Sequence, residues 1–208
     1  MENQEIEVKY YVQDLAAVRR RLEALGAPLA QPRLLETNLR FDTPDGRLGR
    51  ALQALRLRQD SAARLTFKGP AHGEQGARVR EEIEFVVEDF TRARQFLEAL
   101  GYGVALIYEK YRAVYELDGV QVTLDELPYG DFVELEGPGV PALQAASATL
   151  GLAWERAAPA SYVMLFEALK RKMGLEMRDL TFAAFAGLDL DAADLDLLPA
   201  DAGILSAR

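Results

Sequence analysis

The sequence predicts an α+β fold, in which about eight antiparallel strands form a sheet whose apolar face is covered by amphipathic helices. The first observation is an alternation of charged and apolar residues that recurs along the chain. The second is a repeated order of elements, in which a strand, a helix of about a dozen residues and further strands occur twice. The third is a set of tight turns such as Asp118-Gly119, which are typical of β-hairpins. An internal duplication would explain the repeated order.

The alternation begins in Glu5-Ile6-Glu7-Val8-Lys9. Successive side chains of a strand point to opposite faces, so the three charged residues share one face and the two apolar residues the other. The same pattern predicts the remaining strands. We expect strands at residues 3–12, 34–42, 51–58, 64–69, 78–87, 104–117, 120–126 and 131–136.

Helices are indicated by apolar residues at helical spacing and by their end signals. Asp14 is a suitable N-cap for the first helix, and Gly26 is a suitable stop. The predicted helices cover residues 15–25, 89–100, 141–150, 162–173 and, as a short one, 178–185. Segment 69–77 is interpreted as a mobile connection with an exposed His72, and the acidic stretch 188–201 as a solvated or loosely docked tail.

Composition excludes several classes of site. The 208 residues contain no cysteine, which excludes disulfides, thiolate nucleophiles, zinc–thiolate sites and iron–sulfur clusters. The net charge of −9 argues against affinity for duplex nucleic acid. The N-terminus lacks the features of a signal peptide, and no apolar run approaches the ~20 residues that a membrane span needs. We therefore expect a cytoplasmic protein with no membrane partner.

Two arrangements accommodate strands with one charged face. In the first, the sheet is open and the charged face is solvated. In the second, the sheet closes into a barrel with helices outside and the charges line the interior; about eight antiparallel strands can enclose a small ligand. The charged positions are almost wholly Glu, Asp, Arg and Lys, unlike the mixed polar residues of a solvated face. The periodicity leaves both arrangements open.

The types of charged residue point to a particular chemistry. Carboxylates without cysteine or a second histidine suit Mg²⁺ or Mn²⁺. Arginine and lysine bind phosphate oxygens. A confined cavity tolerates neither charge set alone, so a cavity that holds both predicts a metal-dependent enzyme acting on a triphosphate.

Six segments, in order along the chain, resemble the CYTH domain, the triphosphate tunnel metalloenzyme superfamily. These are Glu5-x-Glu7-x-Lys9, Leu55-Arg56-Leu57-Arg58, Thr66-Phe67-Lys68-Gly69-Pro70, Arg80-Glu81-Glu82-Ile83-Glu84, Lys110-Tyr111-Arg112 and Asp125 with residues 130–136. The resemblance covers about residues 5–170. It implies an eight-stranded antiparallel barrel with helices packed outside and a C-terminal helical segment. It also implies a tunnel domain over residues 1–175, followed by an extension with the acidic tail over 176–208.

The resemblance also implies roles for individual residues. The expected metal ligands for Mg²⁺ or Mn²⁺ are Glu5, Glu7, Glu84, Asp125, Glu134 and Glu136. The expected substrate-binding residues are Lys9, Arg56, Arg58, Lys68, Arg80, Lys110, Arg112 and Lys170. Lys170 is included, with Lys172 as its alternative, because family members use a lysine on a C-terminal helix that plugs the tunnel. The expected catalytic residues are Glu5, Glu7, Lys9 and Glu82.

The leading hypothesis is a metal-dependent hydrolase of inorganic tripolyphosphate or another small triphosphate. The second is a class IV adenylyl cyclase, in which the ribose 3′-hydroxyl of ATP attacks the α-phosphate and pyrophosphate leaves. A third is a binding module without catalysis. Apolar helix faces are compatible with a homodimer.

Overall fold

The structure, a computed structural model, describes residues 4–190 and 192–205. Nine strands form one antiparallel sheet: β1 (Gln4–Val12), β2 (Leu29–Asp42), β3 (Ala54–Gln59), β4 (Ala63–Lys68), β5 (His72–Glu74), β6 (Ala77–Val87), β7 (Gly103–Leu117), β8 (Val120–Leu127) and β9 (Gly130–Glu136). Their order is β1-β9-β8-β7-β2-β3-β4-β6-β5, and β1 also pairs with β6. That extra pairing closes eight strands into a barrel. The predicted eight-stranded antiparallel barrel is confirmed.

Closure depends on β1, which is hydrogen-bonded along both of its edges. On one edge Glu5 lies opposite Arg80 of β6, and on the other Lys9 lies opposite Glu134 of β9. Directly opposed residues of an antiparallel pair share a face of the sheet. The pairing therefore collects the charged residues of three strands on the inner face of the barrel.

Helices cover the outer face of the barrel. They are α1 (Leu15–Ala24), α2 (Arg47–Arg50), α3 (Phe90–Ala99), α4 (Val140–Leu150), α5 (Tyr162–Met173) and α6 (Ala202–Leu205), with 3-10 turns at Trp154–Arg156 and Ala192–Leu195. The four longer helices that the sequence predicts are confirmed. Their N-terminal caps include Asp14, whose carboxylate accepts the N–H of Ala17, and Ser161, whose hydroxyl accepts the N–H of Met164. No helix in residues 4–190 or 192–205 combines the length and apolarity needed to cross a bilayer.

The apolar faces of the strands pack against these helices in three clusters. In the largest cluster, Val8 of β1 packs with Leu22 of α1 and Leu143 of α4. A second cluster joins Phe132 of β9 to Phe166 of α5. The third lies under α3 and contains Leu39, Leu57 and Leu97. Because burial of apolar surface holds the outward faces against the helices, the charged faces can only point into the barrel.

Three segments differ from the sequence prediction. The strand β2 begins at Leu29 rather than near residue 34; Pro32, which is disfavoured inside strands, coincides with a register shift in its pairing with β7. Segment 69–77, interpreted as a mobile connection, contains β5, which pairs with β6. The short helix α2 follows a turn that gave no helical pattern, and it begins after Gly46, whose φ is 69°.

The short helix predicted at residues 178–185 is also wrong, because the chain there is bonded to β7. The N–H of Leu180 donates to the carbonyl of Ile107 at 2.9 Å, and the carbonyl of Leu180 accepts from the N–H of Glu109 at 2.9 Å. Asp179 accepts a further bond from the N–H of Ile107. These bonds fix the segment beside the strand and prevent a helical hydrogen-bond pattern.

The acidic tail is docked on the barrel, contrary to the expectation of a solvated or loosely attached segment. Leu195 lies in the cluster around Phe132, and Ala200 and Asp201 are fully buried. The carboxylate of Asp201 accepts hydrogen bonds from the backbone N–H groups of Gln13 and Asp14 at 2.9 to 3.1 Å. The end of the tail therefore anchors the connection between β1 and α1.

We expect Asp201→Ala to lower the free energy of unfolding by about 1–3 kcal/mol, because the N–H groups of Gln13 and Asp14 would lose a buried charged acceptor. Urea unfolding followed by circular dichroism measures the change. The matched control is Asp189→Ala, an exposed aspartate of the same tail, which should change stability by less than about 0.5 kcal/mol. Equal stabilities of the two variants would contradict the anchoring role.

Candidate functional site

The barrel encloses a main cavity of about 1060 Å³. Among the described residues, its lining includes ten basic side chains: Lys9, Arg40, Arg56, Arg58, Arg64, Lys68, Arg78, Arg80, Lys110 and Arg112. It also includes seven acidic side chains: Glu5, Glu7, Asp60, Glu82, Glu84, Glu134 and Glu136. The lining thus combines many charges of both signs with an excess of positive charge. This is the environment of a highly charged anionic ligand accompanied by a cation.

The structure brings together every site residue that the sequence predicts, except Asp125 and Lys170. Those two lie outside the lining of the main cavity. His72, interpreted as an exposed loop residue, is exposed and belongs to β5 at the margin of this cavity. Its position follows from the hairpin of β5 and β6, which the sequence pattern does not reveal.

One group of side chains in the cavity is centred on Lys9. Its ammonium lies 3.0 Å from a carboxylate oxygen of Glu134 and 3.8 Å from one of Glu7. Burial raises the pKa of Glu7, and the neighbouring Glu134 raises it further. Burial also acts to raise the pKa of Glu134, but Lys9 and the other cations around it hold that pKa well below its usual range. Glu7 therefore takes up a proton more readily than Glu134 does.

A second group is centred on Lys68. Its ammonium lies 2.7 Å from Glu5 and 2.8 Å from Glu82. Against the effect of burial, Lys68 and Arg80 lower the pKa of Glu5 to about 2. Burial raises the pKa of Glu82 to about 7, and the nearby Glu5 contributes to the increase. The structure therefore contains two close pairs of glutamates, each bridged by one lysine.

Glu136 is the acidic residue of the lining that has no ion pair within the described part of the chain. Burial raises its pKa, and the negative charges of Glu5 and Glu134 raise it further. A carboxylate in such surroundings is stabilised by a cation. Glu136 is therefore the best-placed side chain to receive one.

These carboxylates fit a hard divalent cation by the chemistry of their oxygen donors. No three acidic or histidine side chains among residues 4–190 and 192–205 converge closely enough to enclose an ion. The reason lies in the ion pairs, since Lys9 and Lys68 occupy four of the glutamates. The two glutamates whose charges act on Glu136, Glu5 and Glu134, are thus both paired with lysines in this structure.

Basic side chains dominate a neighbouring part of the cavity, around Glu84. Glu84 accepts hydrogen bonds from Arg56 at 3.2 Å, from Arg58 at 2.9 Å and from Thr66 at 2.7 Å. Both of its carboxylate oxygens are thereby occupied. Glu84, predicted as a metal ligand, lies where it holds two arginines in position.

Glu36 is a further carboxylate in this basic part, and the sequence reasoning did not include it. It is 1% exposed and lies 3.5 Å from Lys110 and 3.6 Å from Arg58. Although burial acts to raise its pKa, the surrounding cations, Lys110 and Arg112 first, lower it below the usual range. Glu36 therefore stays ionised. Its negative charge lies outside the cavity lining and partly balances the positive charges of Lys110 and Arg58.

Asp125 lies in the barrel wall rather than at the cavity surface. It is fully buried, and its carboxylate accepts two hydrogen bonds from Arg112, at 2.6 and 2.5 Å, and one from Lys110 at 3.2 Å. The hydroxyl of Tyr162 donates to it at 2.7 Å. With its oxygens engaged in this way, Asp125 lies behind the basic residues in this structure, and its predicted role as a metal ligand stays a prediction.

Lys170 lies on α5 but outside the main cavity. Its ammonium pairs with Glu167 at 3.2 Å, one turn earlier on the same helix, and it lines a separate cavity. The alternative, Lys172, pairs with Asp196 of the tail. Three other residues of α5, Tyr162, Val163 and Met164, do line the main cavity, and the ring of Tyr162 lies 4.2 Å from the ammonium of Lys9. In this structure neither Lys170 nor Lys172 reaches the main cavity, and a role for either in binding stays a prediction.

Sequence reasoning missed several residues in and behind the cavity lining, for identifiable reasons. Glu36 and Arg40 lie on the same face of β2, so the stride of two would have found both if β2 had been searched for charged positions like the other strands. Asp60 and Arg64 flank the turn between β3 and β4. Tyr162 is the first residue of a helix and carries no strand pattern.

With the geometry established, comparison with known proteins identifies the family. The sequence matches the CYTH domain over residues 3–146. The chain belongs to the CYTH domain family. It is 30% identical over 134 residues to the protein MJ0240 of Methanocaldococcus jannaschii, whose name assigns it only provisionally as an adenylate cyclase; the match covers 64% of this chain and 75% of that protein. It is 33% identical over 137 residues to adenylate cyclase CyaB of Aeromonas hydrophila, covering 63% and 67%.

Solved structures share the fold of this CYTH protein. The PH1012 protein of Pyrococcus horikoshii superposes with a TM-score of 0.65 at 25% identity, over 77% of this chain and 98% of that one. The protein HpAC1 of Hippeastrum, described as having a dominant triphosphatase activity, superposes with a TM-score of 0.59 at 22% identity, over 78% and 95%. The latter similarity shows the fold alone.

We expect Asp125→Asn to weaken the binding of tripolyphosphate about tenfold, because Arg112 and Lys110 lose the charge that aligns them. Isothermal titration calorimetry measures the affinity. A positioning role predicts that the metal concentration giving half-maximal binding stays unchanged, whereas a metal ligand would raise it.

The matched control is Glu126→Gln. Glu126 is the next residue along β8, and its partner is Arg33 rather than a cavity residue. It should bind tripolyphosphate as the wild type does. A selective loss of metal affinity in Asp125→Asn would show that Asp125 is a metal ligand. Circular dichroism of both variants verifies that they fold.

Proposed function

We propose that this CYTH protein is a divalent-metal-dependent hydrolase of a small triphosphate, such as inorganic tripolyphosphate. The observation that carries the proposal is the main cavity, in which a basic excess coexists with Glu136, a glutamate that has no ion pair with any described residue. An anion alone would satisfy the basic excess but leave Glu136 unbalanced. A complex of a divalent cation with a triphosphate satisfies both.

The basic residues supply the binding of the anion. Arg56 and Arg58 present planar guanidinium groups that suit the paired oxygens of phosphoryl groups. Both are bonded to Glu84, so an incoming triphosphate finds them already oriented. Arg112 and Lys110 are oriented in the same way by Asp125. Such preorganisation lowers the cost of ordering side chains on binding.

The glutamates supply the cation site. Glu136 would hold a divalent ion together with Glu134 and Glu7, and Mg²⁺ or Mn²⁺ matches these oxygen donors. When bound, the ion would neutralise phosphate charge and lower the pKa of an attacking water. Lys9, which lies 3.0 Å from Glu134, would contribute a positive charge beside the phosphoryl groups and so stabilise the negative charge of the transition state.

Glutamates with raised pKa values are suited to proton transfer. The pKa of Glu82 is raised to about 7, chiefly by burial. A carboxylate with a pKa near the working pH can accept a proton from water as the water attacks phosphorus. Glu82 is therefore our candidate for the base, with Glu5 bonded to the same lysine as its neighbour. A cytoplasmic location and a homodimer stay predictions.

The second candidate is an adenylyl cyclase, and the names of both sequence relatives favour it. In that reaction the 3′-hydroxyl of ATP attacks the α-phosphorus and pyrophosphate leaves. The same cavity residues would bind the triphosphate and the ion. The two candidates differ in the nucleophile and in the phosphorus that it attacks, so the products distinguish them.

We expect orthophosphate from tripolyphosphate, and little cyclic AMP from ATP, when the protein is supplied with Mg²⁺ or Mn²⁺. Ion chromatography of the products separates orthophosphate, pyrophosphate and cyclic AMP. Cyclic AMP with equimolar pyrophosphate would establish the cyclase instead. Binding of tripolyphosphate without any product would leave only the binding module.

We expect Glu136→Gln to lower metal-dependent turnover roughly 100-fold or more while leaving the stability of the metal-free protein unchanged or slightly higher. The stability follows because the substitution removes a half-buried carboxylate that is repelled by Glu5 and Glu134. Steady-state kinetics against metal concentration and thermal unfolding measure the two effects.

The matched control is Glu116→Gln, an exposed glutamate of β7 that lies outside the cavity lining. It should retain wild-type turnover. Full activity of Glu136→Gln at every metal concentration would remove Glu136 from the cation site.

A further inference from the structure

Arg40 lies where the main cavity meets a second one. It extends from β2 and lines both the main cavity and a second cavity of about 260 Å³. Val163 of α5 also lines both, so the two residues mark the junction. The second cavity has room for a phosphoryl group beside Arg40.

Arg40 differs from the other nine basic residues of the main cavity lining, because it alone has no ion pair within residues 4–190 and 192–205. Its one hydrogen bond runs from Nη2 to the carbonyl of Gln53 at 3.4 Å. Asp42, two residues further along, is bonded to three backbone N–H groups of the following turn at 2.7 to 2.9 Å. The guanidinium of Arg40 therefore keeps most of its N–H donors for a ligand.

The surroundings of Arg40 favour an anion. Arg40 lies directly opposite Arg56 in the pairing of β2 with β3, and like charges in such a pair repel each other. Burial lowers the pKa of Arg40, and the positive charges of Arg56 and Arg80 lower it further. Two partly buried guanidinium groups side by side are stabilised by an anion that contacts both.

We propose that Arg40 binds a fourth phosphoryl group, so that the preferred ligands are linear oligophosphates longer than a triphosphate. This rests on the proposed function, because Arg56 is assigned to the triphosphate itself. The Cβ atoms of directly opposed residues lie about 4.5–5.5 Å apart, so one extended chain can contact Arg56 and then Arg40.

In this proposal, the second cavity receives the part of the ligand that lies beyond the third phosphoryl group. Its rim carries Lys170 and Arg178, which are paired with Glu167 and Asp179 respectively. Because each of these cations is paired with a carboxylate, the two pairs add little net charge to the second cavity. Arg40, by contrast, has no ion pair with any described residue. The fourth phosphoryl group is thus held mainly by Arg40, and the chain can project outward between the rim residues.

The test compares the binding of tripolyphosphate, tetrapolyphosphate and orthophosphate to the full chain by isothermal titration calorimetry, with a chelator present to prevent turnover. We expect the wild type to bind tetrapolyphosphate about tenfold or more tightly than tripolyphosphate, as one charge-assisted contact implies. Arg40→Gln should abolish that preference and change the affinity for tripolyphosphate by less than about threefold. Arg40→Lys, which keeps the charge, should retain part of the preference.

The matched control is Arg92→Gln, which removes one positive charge from the exposed face of α3 and should keep the chain-length preference. Equal losses for both oligophosphates in Arg40→Gln would show that Arg40 contacts the triphosphate itself, and would overturn the proposal. No loss, or an Arg40-dependent site for orthophosphate without a chain-length preference, would also overturn it. Because these titrations need no turnover, failure of the hydrolase proposal would leave their outcome readable.

Discussion

The mutual neutralisation of charges inside a closed barrel is the constraint on which this structure depends. Closing the sheet removes solvent from one face of eight strands, and a single charge there would be costly. The interior therefore arranges glutamates and aspartates against lysines and arginines, and many of its side chains contact two partners, as Lys9 contacts Glu7 and Glu134. Stability and ligand binding thus use the same ion pairs.

If the protein binds a cation and a triphosphate as we propose, binding would exchange ion-pair partners rather than fill an empty site. A lysine released by the cation would become available for a phosphate, and an arginine that turned to a phosphate would free a carboxylate. Among the charged residues that line the main cavity, Glu136 and Arg40 are the two without an ion pair in the described part of the chain. Both of our proposals for ligands rest on these two unbalanced charges.

The sequence predicts the strands, and which charged residues share a face, because a stride of two is a strictly local property of a strand. The stride leaves an open sheet and a barrel both possible, and the resemblance to the CYTH domain is what implies the barrel that encloses Glu5, Arg56 and Glu134. The sequence could not assign depth, since Asp125 has the same stride as its neighbours but lies behind Arg112 in the wall. Nor could it show that Tyr162, which follows no strand pattern, closes over Lys9. Depth and closure depend on contacts between distant segments.

The double pairing of β1 has a consequence for the order in which the chain assembles. The strand made first during synthesis finds its two neighbours in β6 and β9, and the second of these is among the last parts of the barrel to be made. Contacts between segments so far apart in sequence slow folding, because the intervening chain must first be ordered. Until then the charged inner face of β1 is bathed in water. The glutamates of β1, Glu5 and Glu7, thus become buried only when the last seam of the barrel closes.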